Sequence, residues 1–91
     1  MSVTVFVPGP LRQYCEGAAR LTATVDSVRA ALADLERRYP TLHRNIVDET
    51  GAVRRHINVF VNSSNMRDRE GLDTALSPGD VVTILPAVSG G

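Results

Sequence analysis

The sequence predicts an α+β domain: a mixed sheet with one main helix packed across one face. Three observations carry that prediction. Four segments are rich in β-branched and aromatic residues and alternate at the period of a strand. One segment between the second and third of them switches to a helical period. The chain has 91 residues, 43% of them hydrophobic and 22% charged. That is enough for one small domain with a modest core, and too apolar for a disordered chain.

The elements follow in order. "SVTVFVP", residues 2–8, ends at the Pro8-Gly9-Pro10 breaker and reads as the first strand. "GPLRQYCEGA", residues 9–18, carries glycine and proline breakers and is expected to be a loose connecting loop. "RLTATV", residues 20–25, alternates cleanly as a second strand. In "DSVRAALADLERRYP", Val28, Ala31, Leu32, Leu35 and Tyr39 fall at i, i+3, i+4, i+7 and i+11, one stripe of an amphipathic helix. Asp26 or Ser27 suits its start, Arg37 and Arg38 its negative end, and Pro40 its stop.

Residues 41–55 are polar, with Leu42 and Ile46 as anchors and a turn at Thr50-Gly51, and are expected to be irregular. "HINVFVN", 56–62, is the third strand. Asn62 to Asn65 turns the chain, and "MRDRE", 66–70, is expected to form a short edge strand. A Pro78-Gly79 turn then leads into "DVVTILP", the last strand. No repeat or linker interrupts this order.

Two opening strands, a helix and returning strands suit the β-grasp arrangement, with the first and last strands side by side in the centre. Strand parity then sorts the residues. Val3, Val5, Val7, Ile57, Val59, Val61, Val82 and Ile84 face the helix. Thr4, Phe6, Asn58, Phe60, Val81, Thr83 and Leu85 face away. That second face holds both phenylalanines of the chain, so Phe6, Phe60, Val81 and Leu85 are expected to form one apolar patch that a partner covers. A covering loop of the chain itself is the alternative.

Charge excludes several functions. Ten basic residues balance ten acidic ones, so no surplus supports a broad grip on nucleic acid. The pairs Arg37-Arg38 and Arg54-Arg55 read as solvated surface. Every basic residue is arginine, which removes Schiff-base chemistry, a lysine general base and any amine for self-attachment. One cysteine, Cys15, makes neither an intrachain disulfide nor a thiolate metal cluster. His43 and His56 lack ligands at a metal spacing, and Asp68, Asp73 and Asp80 are not paired for acid–base work. The N-terminus has no basic start and too short an apolar run for a signal peptide. No stretch reaches the length of a membrane span, and a cytoplasmic location is expected.

The chain closes on "PAVSGG", residues 86–91. Two terminal glycines arise by chance in roughly one chain in 200, which singles out this end without deciding its role. Three motifs give it meaning together: "INVFVN" (57–62), "PGDVVTILP" (78–86) and "SGG" (89–91). The chain resembles, over essentially its whole length, the ubiquitin-like β-grasp sulfur carriers. These include the small subunit of molybdopterin synthase, the carrier for the thiamine thiazole and the carrier of thiocarboxylate-dependent cysteine synthesis. "VTILPAVSGG" looks most like the last of these.

The resemblance implies a carrier and substrate rather than an enzyme, with residues 1–86 as the domain and 87–91 as a flexible tail. An ATP-dependent adenylating and sulfurtransferase enzyme would activate the carboxylate of Gly91. Sulfur would then displace AMP, leaving a thiocarboxylate for a sulfur-accepting synthase. ATP is used by that partner; no cofactor is expected on the chain. Gly90 permits close passage through a narrow tunnel, Ser89 and Val88 give length, and Val88 offers a pocket anchor. Cys15 is expected to be incidental. Delivery of sulfur to molybdopterin, a thiazole or another natural product stands as an alternative. So do conjugation to proteins through Gly91 and a regulatory β-grasp module with incidental glycines.

Overall fold

The computed structural model describes residues 2–86; Met1 and residues 87–91 lie outside the described residues. The elements are β1 (Val3–Phe6), β2 (Arg20–Ala23), α1 (Val28–Arg38), α2 (Pro40–Ile46), β3 (Ile57–Val61), β4 (Ser64–Asn65) and β5 (Val81–Pro86). The sheet runs β2-β1-β5-β3-β4. β1 and β5 pair in parallel at its centre, and the other neighbours pair antiparallel. This is the mixed α+β sheet of the β-grasp fold.

The parity holds at every position assigned to the inner face. Val3, Val5, Val7, Ile57, Val59, Val61, Val82 and Ile84 are all buried. They meet Val28, Ala31, Leu32 and Leu35, four positions of the predicted stripe; the fifth, Tyr39, is the C-cap of α1 and is partly buried. The hydroxyl of Ser27 accepts from the backbone N–H of Ala30 at 3.0 Å, filling one orphan donor of the first turn. At the other end Asp34 binds Arg37 and Arg38 one turn on, the latter at 2.6 Å.

Three segments differ from the expectation. Residues 41–46 are helical: Pro40 ends α1 and then opens α2, its fixed φ suiting a first turn. Leu42 and Ile46, one turn apart, are both fully buried. Seven residues hold only that one apolar pair, too few to display a period. The expected loop after β1 contains a 3-10 helix, Gly9–Cys15, which packs against α2 and buries Cys15 completely. The edge strand is Ser64–Asn65 rather than "MRDRE": Phe60 pairs with Asn65 and Val61 with Ser64, while Met66–Asp68 forms a 3-10 turn. A two-residue connection, with Asn62 in the left-handed region at φ 54°, closes the hairpin earlier than its polar run suggested. Met66 is thereby turned into the core.

Candidate functional site

The two internal motifs meet in space. Asn62, which closes "INVFVN", donates from its side-chain amide to the Asp80 carboxylate at 3.2 Å. Its side-chain oxygen accepts from the Val81 N–H at 3.0 Å, and its own N–H reaches the Val81 carbonyl at 2.7 Å. The other Asp80 oxygen accepts from the Ser77 N–H at 2.9 Å. That bond and the Asn62 amide stabilise the charged form, so the Asp80 carboxyl is held below its ordinary value. Gly79, at φ 90°, makes the turn that such a short bracket needs. The Asp80 carbonyl meanwhile receives the Thr4 N–H at 3.0 Å. The start of β5 is therefore fixed to β3 and β1 together, which sets the direction in which β5 runs to Pro86.

On the outer face, pairing places Thr83 between Phe6 on β1 and Phe60 on β3. Val81 and Leu85 flank Thr83 along β5 on the same side. The four residues expected to form a patch thus surround one threonine. Phe6, Phe60 and Val81 are half-buried, and Leu85 is 43% exposed. The Arg20 guanidinium lies 5.0 Å from the Phe6 ring centroid, a cation–π contact that covers part of the ring. Thr83 and Arg20 belong to this surface without having been singled out. Parity contained the first, but the second required the β1–β2 register, which sets Arg20 opposite Phe6.

β5 ends beside a polar knot. Leu85 pairs with Asn58 and Pro86 with Ile57. The Asn58 side-chain oxygen accepts from Asn65 at 3.3 Å and from Arg67 at 3.0 Å. Arg67 also donates to the Arg54 carbonyl at 3.3 Å. Pro86 has no N–H for the ladder, so the strand has a chemical stop there. Gly91, Gly90, Ser89 and Val88 lie outside the described residues, as does the expected flexibility of 87–91.

Cys15 is sealed in. Its Sγ donates to the Ala18 carbonyl at 3.4 Å, and burial pushes the thiol above its ordinary value. A buried, protonated thiol is a poor nucleophile, in keeping with an incidental role. His43 stands 3.9 Å from a Glu36 oxygen on the helical side, and His56 is exposed just before β3. His43, Glu36, Arg44, Arg54, Leu32 and Val47 help line an open groove of about 450 Å³ on the helical side. Among the described residues no cluster of three metal-ligating side chains occurs, and no helix is long and apolar enough to cross a membrane.

Likeness to known proteins decides the family. A profile of the ThiS family matches residues 5–91. The chain belongs to the ThiS family. The sulfur carrier protein CysO of Mycobacterium tuberculosis is 40% identical over 93 residues, covering all of both chains. CysO from Amycolatopsis orientalis, solved in a complex named BexX/CysO, superposes with a TM-score of 0.89 at 37% identity, over 98% of this chain and 99% of that one. The small archaeal modifier protein 3 of Haloferax volcanii is 38% identical over 69 residues, 76% of this chain and 71% of its own. Full-length likeness to CysO in sequence and structure identifies this ThiS-family chain as a sulfur carrier protein. Such relatives are small carriers rather than catalysts.

Proposed function

We propose that the reacting group is the carboxylate of Gly91 and that the chain serves as substrate and carrier, not as an enzyme. An ATP-dependent activating enzyme joins that carboxylate to the α-phosphate of ATP, releasing pyrophosphate. Sulfide then attacks the acyl carbon and AMP leaves, so a thiocarboxylate replaces the carboxylate. A sulfur-accepting synthase takes the sulfur, and the acceptor is an activated precursor of cysteine or a related metabolite. The full-length likeness to CysO carries this reading. The geometry supports it: the Asn62–Asp80 bracket aims β5, and Pro86 closes the ladder five residues before the terminus. Five residues span at most about 17 Å, so the enzyme surface that admits the tail must come close to the end of the sheet. Phe6, Phe60, Val81 and Leu85 supply apolar contact there, and Gly90, Ser89 and Val88 thread the tunnel.

The test is intact-mass measurement after incubation with ATP, sulfide and the activating enzyme. The expected result is replacement of one oxygen by sulfur. Deleting Gly90 and Gly91 should abolish pyrophosphate exchange while leaving the melting temperature nearly unchanged. Continued exchange by the truncated chain sinks the reading.

A second reading draws on the likeness to the archaeal modifier: conjugation through Gly91 to amines of other proteins. The same activation serves it. Covalent adducts on target lysines, with no thiocarboxylate in the mass spectrum, would favour it over sulfur delivery. Delivery to molybdopterin or to a thiazole is separated by supplying each acceptor in turn.

A further inference from the structure

Eight of the ten arginines fall into two groups; Arg44, which donates to the Thr41 hydroxyl at 3.3 Å, and Arg69 stand outside both. On the helical side, Arg29 pairs with Asp73 at 3.1 Å, and Arg37 and Arg38 pair with Asp34. At the end of the sheet where β5 finishes, the arginines are held by neutral groups instead. Arg12 donates to the Val7 carbonyl at 3.0 Å, and Arg54 to the Arg44 carbonyl at 2.8 Å. Arg20 rests on the Phe6 ring. Arg67 binds the Asn58 amide oxygen and the Arg54 carbonyl. Arg55 is exposed beside them. Among the described residues none of these five comes within 4.0 Å of a carboxylate.

The topology explains the gathering. β1 runs parallel to β5, so the chain after Phe6, with Arg12 bonded back to Val7, lies level with the end of β5. β2 and β3 run antiparallel to those strands, so Arg20 and the Arg54-Arg55 pair before Ile57 reach the same end. The acids of this neighbourhood offset it only in part. Asp48 and Glu49 line a groove with Arg54. The Asp48 carboxylate accepts its hydrogen bonds from Thr50 and Ala52 within its own loop, and these, helped by the Arg54 charge, hold the carboxyl below its ordinary value. Glu16 and Asp68 are single exposed acids. A chain with formal net charge zero thus concentrates positive charge around the root of its tail.

We infer that this arginine rim docks against an acidic mouth on the activating enzyme, so that charge captures the carrier and orients the tail before the carboxylate enters. The inference rests on the proposed adenylation of Gly91. Neutral anchors fix the guanidinium groups of Arg12, Arg20, Arg54 and Arg67 in place yet leave their charge for a partner, whereas the paired arginines of the helical side have little to offer. Complementary charge of this kind raises association rates and is screened by salt.

The test is pyrophosphate exchange by the full chain with its activating enzyme, measured against carrier concentration from about 0.01 to 0.3 M salt. Arg55→Glu and Arg20→Glu are compared with Arg37→Glu on the helical side; among the described residues the Arg55 side chain makes no hydrogen bond whose loss would threaten the fold. For wild type, KM should rise with salt. The two rim variants should show a KM roughly tenfold higher at low salt, converging on wild type at high salt, while Arg37→Glu stays within about twofold. If wild type does not exchange at all, the adenylation reading fails and the rim falls with it. If wild type exchanges but the rim variants keep its KM and salt profile, adenylation stands and the rim is refuted. Tight, salt-dependent binding of a single-stranded oligonucleotide with unmoved KM would assign the rim to nucleic acid and equally overturn the inference.

Discussion

The two faces of the sheet share every backbone hydrogen bond and differ in what their side chains meet. Inward, Val5, Val59, Val82 and Ile84 are sealed against the helices. Outward, on the same three strands, Phe6, Phe60 and Val81 are half-buried around Thr83, and Leu85 is exposed. The larger aromatic groups sit on the wetter face. Residue type alone would have ranked the phenylalanines as core; the pleat overrules that. A side chain's position along the strand, not its hydrophobicity, decides whether it stabilises the fold or remains available to a partner.

The largest expected effect tests the inner face. Val59→Asp places an unpaired carboxylate beneath the helices, at a cost of at least ~3 kcal/mol, and the chain should be unfolded or molten in a thermal melt. A folded Val59→Asp protein would mean the register of β3 is wrong, and with it every inside–outside assignment on that strand.

Leu42→Ala probes the layer opposite the sheet. Leu42 is fully buried on the short α2, and truncation should lower unfolding stability by about 2–5 kcal/mol in urea titration. A loss below ~1 kcal/mol would show that α2 does not belong to the core. Ser27→Ala removes the acceptor for the Ala30 N–H and should lose about 1 kcal/mol, the usual worth of an N-cap. Rescue by Ser27→Asp distinguishes capping from a general packing loss.

The smallest effect on stability belongs to the outer face. Phe60→Asp should change stability by about 1 kcal/mol or less, while affinity for the activating enzyme drops in a binding titration. Should Phe60→Asp unfold the protein, the outer face is structural and the proposed docking patch is lost.

How much of this was legible beforehand depended on the length scale of the signal. α1 carried five apolar positions over three turns, with a cap and a proline stop, and the helix forms with four of them on its buried stripe while Tyr39 falls at its C-cap. α2 carried two, and two points define no period. Its helicity comes from tertiary contact, because Leu42 and Ile46 find the 3-10 helix and the core beneath them. The same reason hides the 3-10 helix: Gly9 and Pro10 signal a break, but burial of Cys15 is decided by what the returning chain packs over it. At the candidate site, the motif residues Asn62 and Asp80 were visible as a pattern. Their hydrogen bond, across 18 positions of sequence, was not.

Residue order alone was enough for the class of the fold and for the inner and outer sets on each strand, and it singled out the terminal glycines that we propose as the reacting end. These follow from local periodicity and composition, which need no partner element to be read. It took the folded chain to show that Thr83 stands between the two phenylalanines, that Arg20 lies on Phe6, and that arginines from four separate segments are spread across the end of the sheet where β5 finishes. Each of those depends on strand order and register. Nothing local encodes the parallel pairing of the first strand with the last, which brings residues nearly eighty positions apart into neighbouring rows.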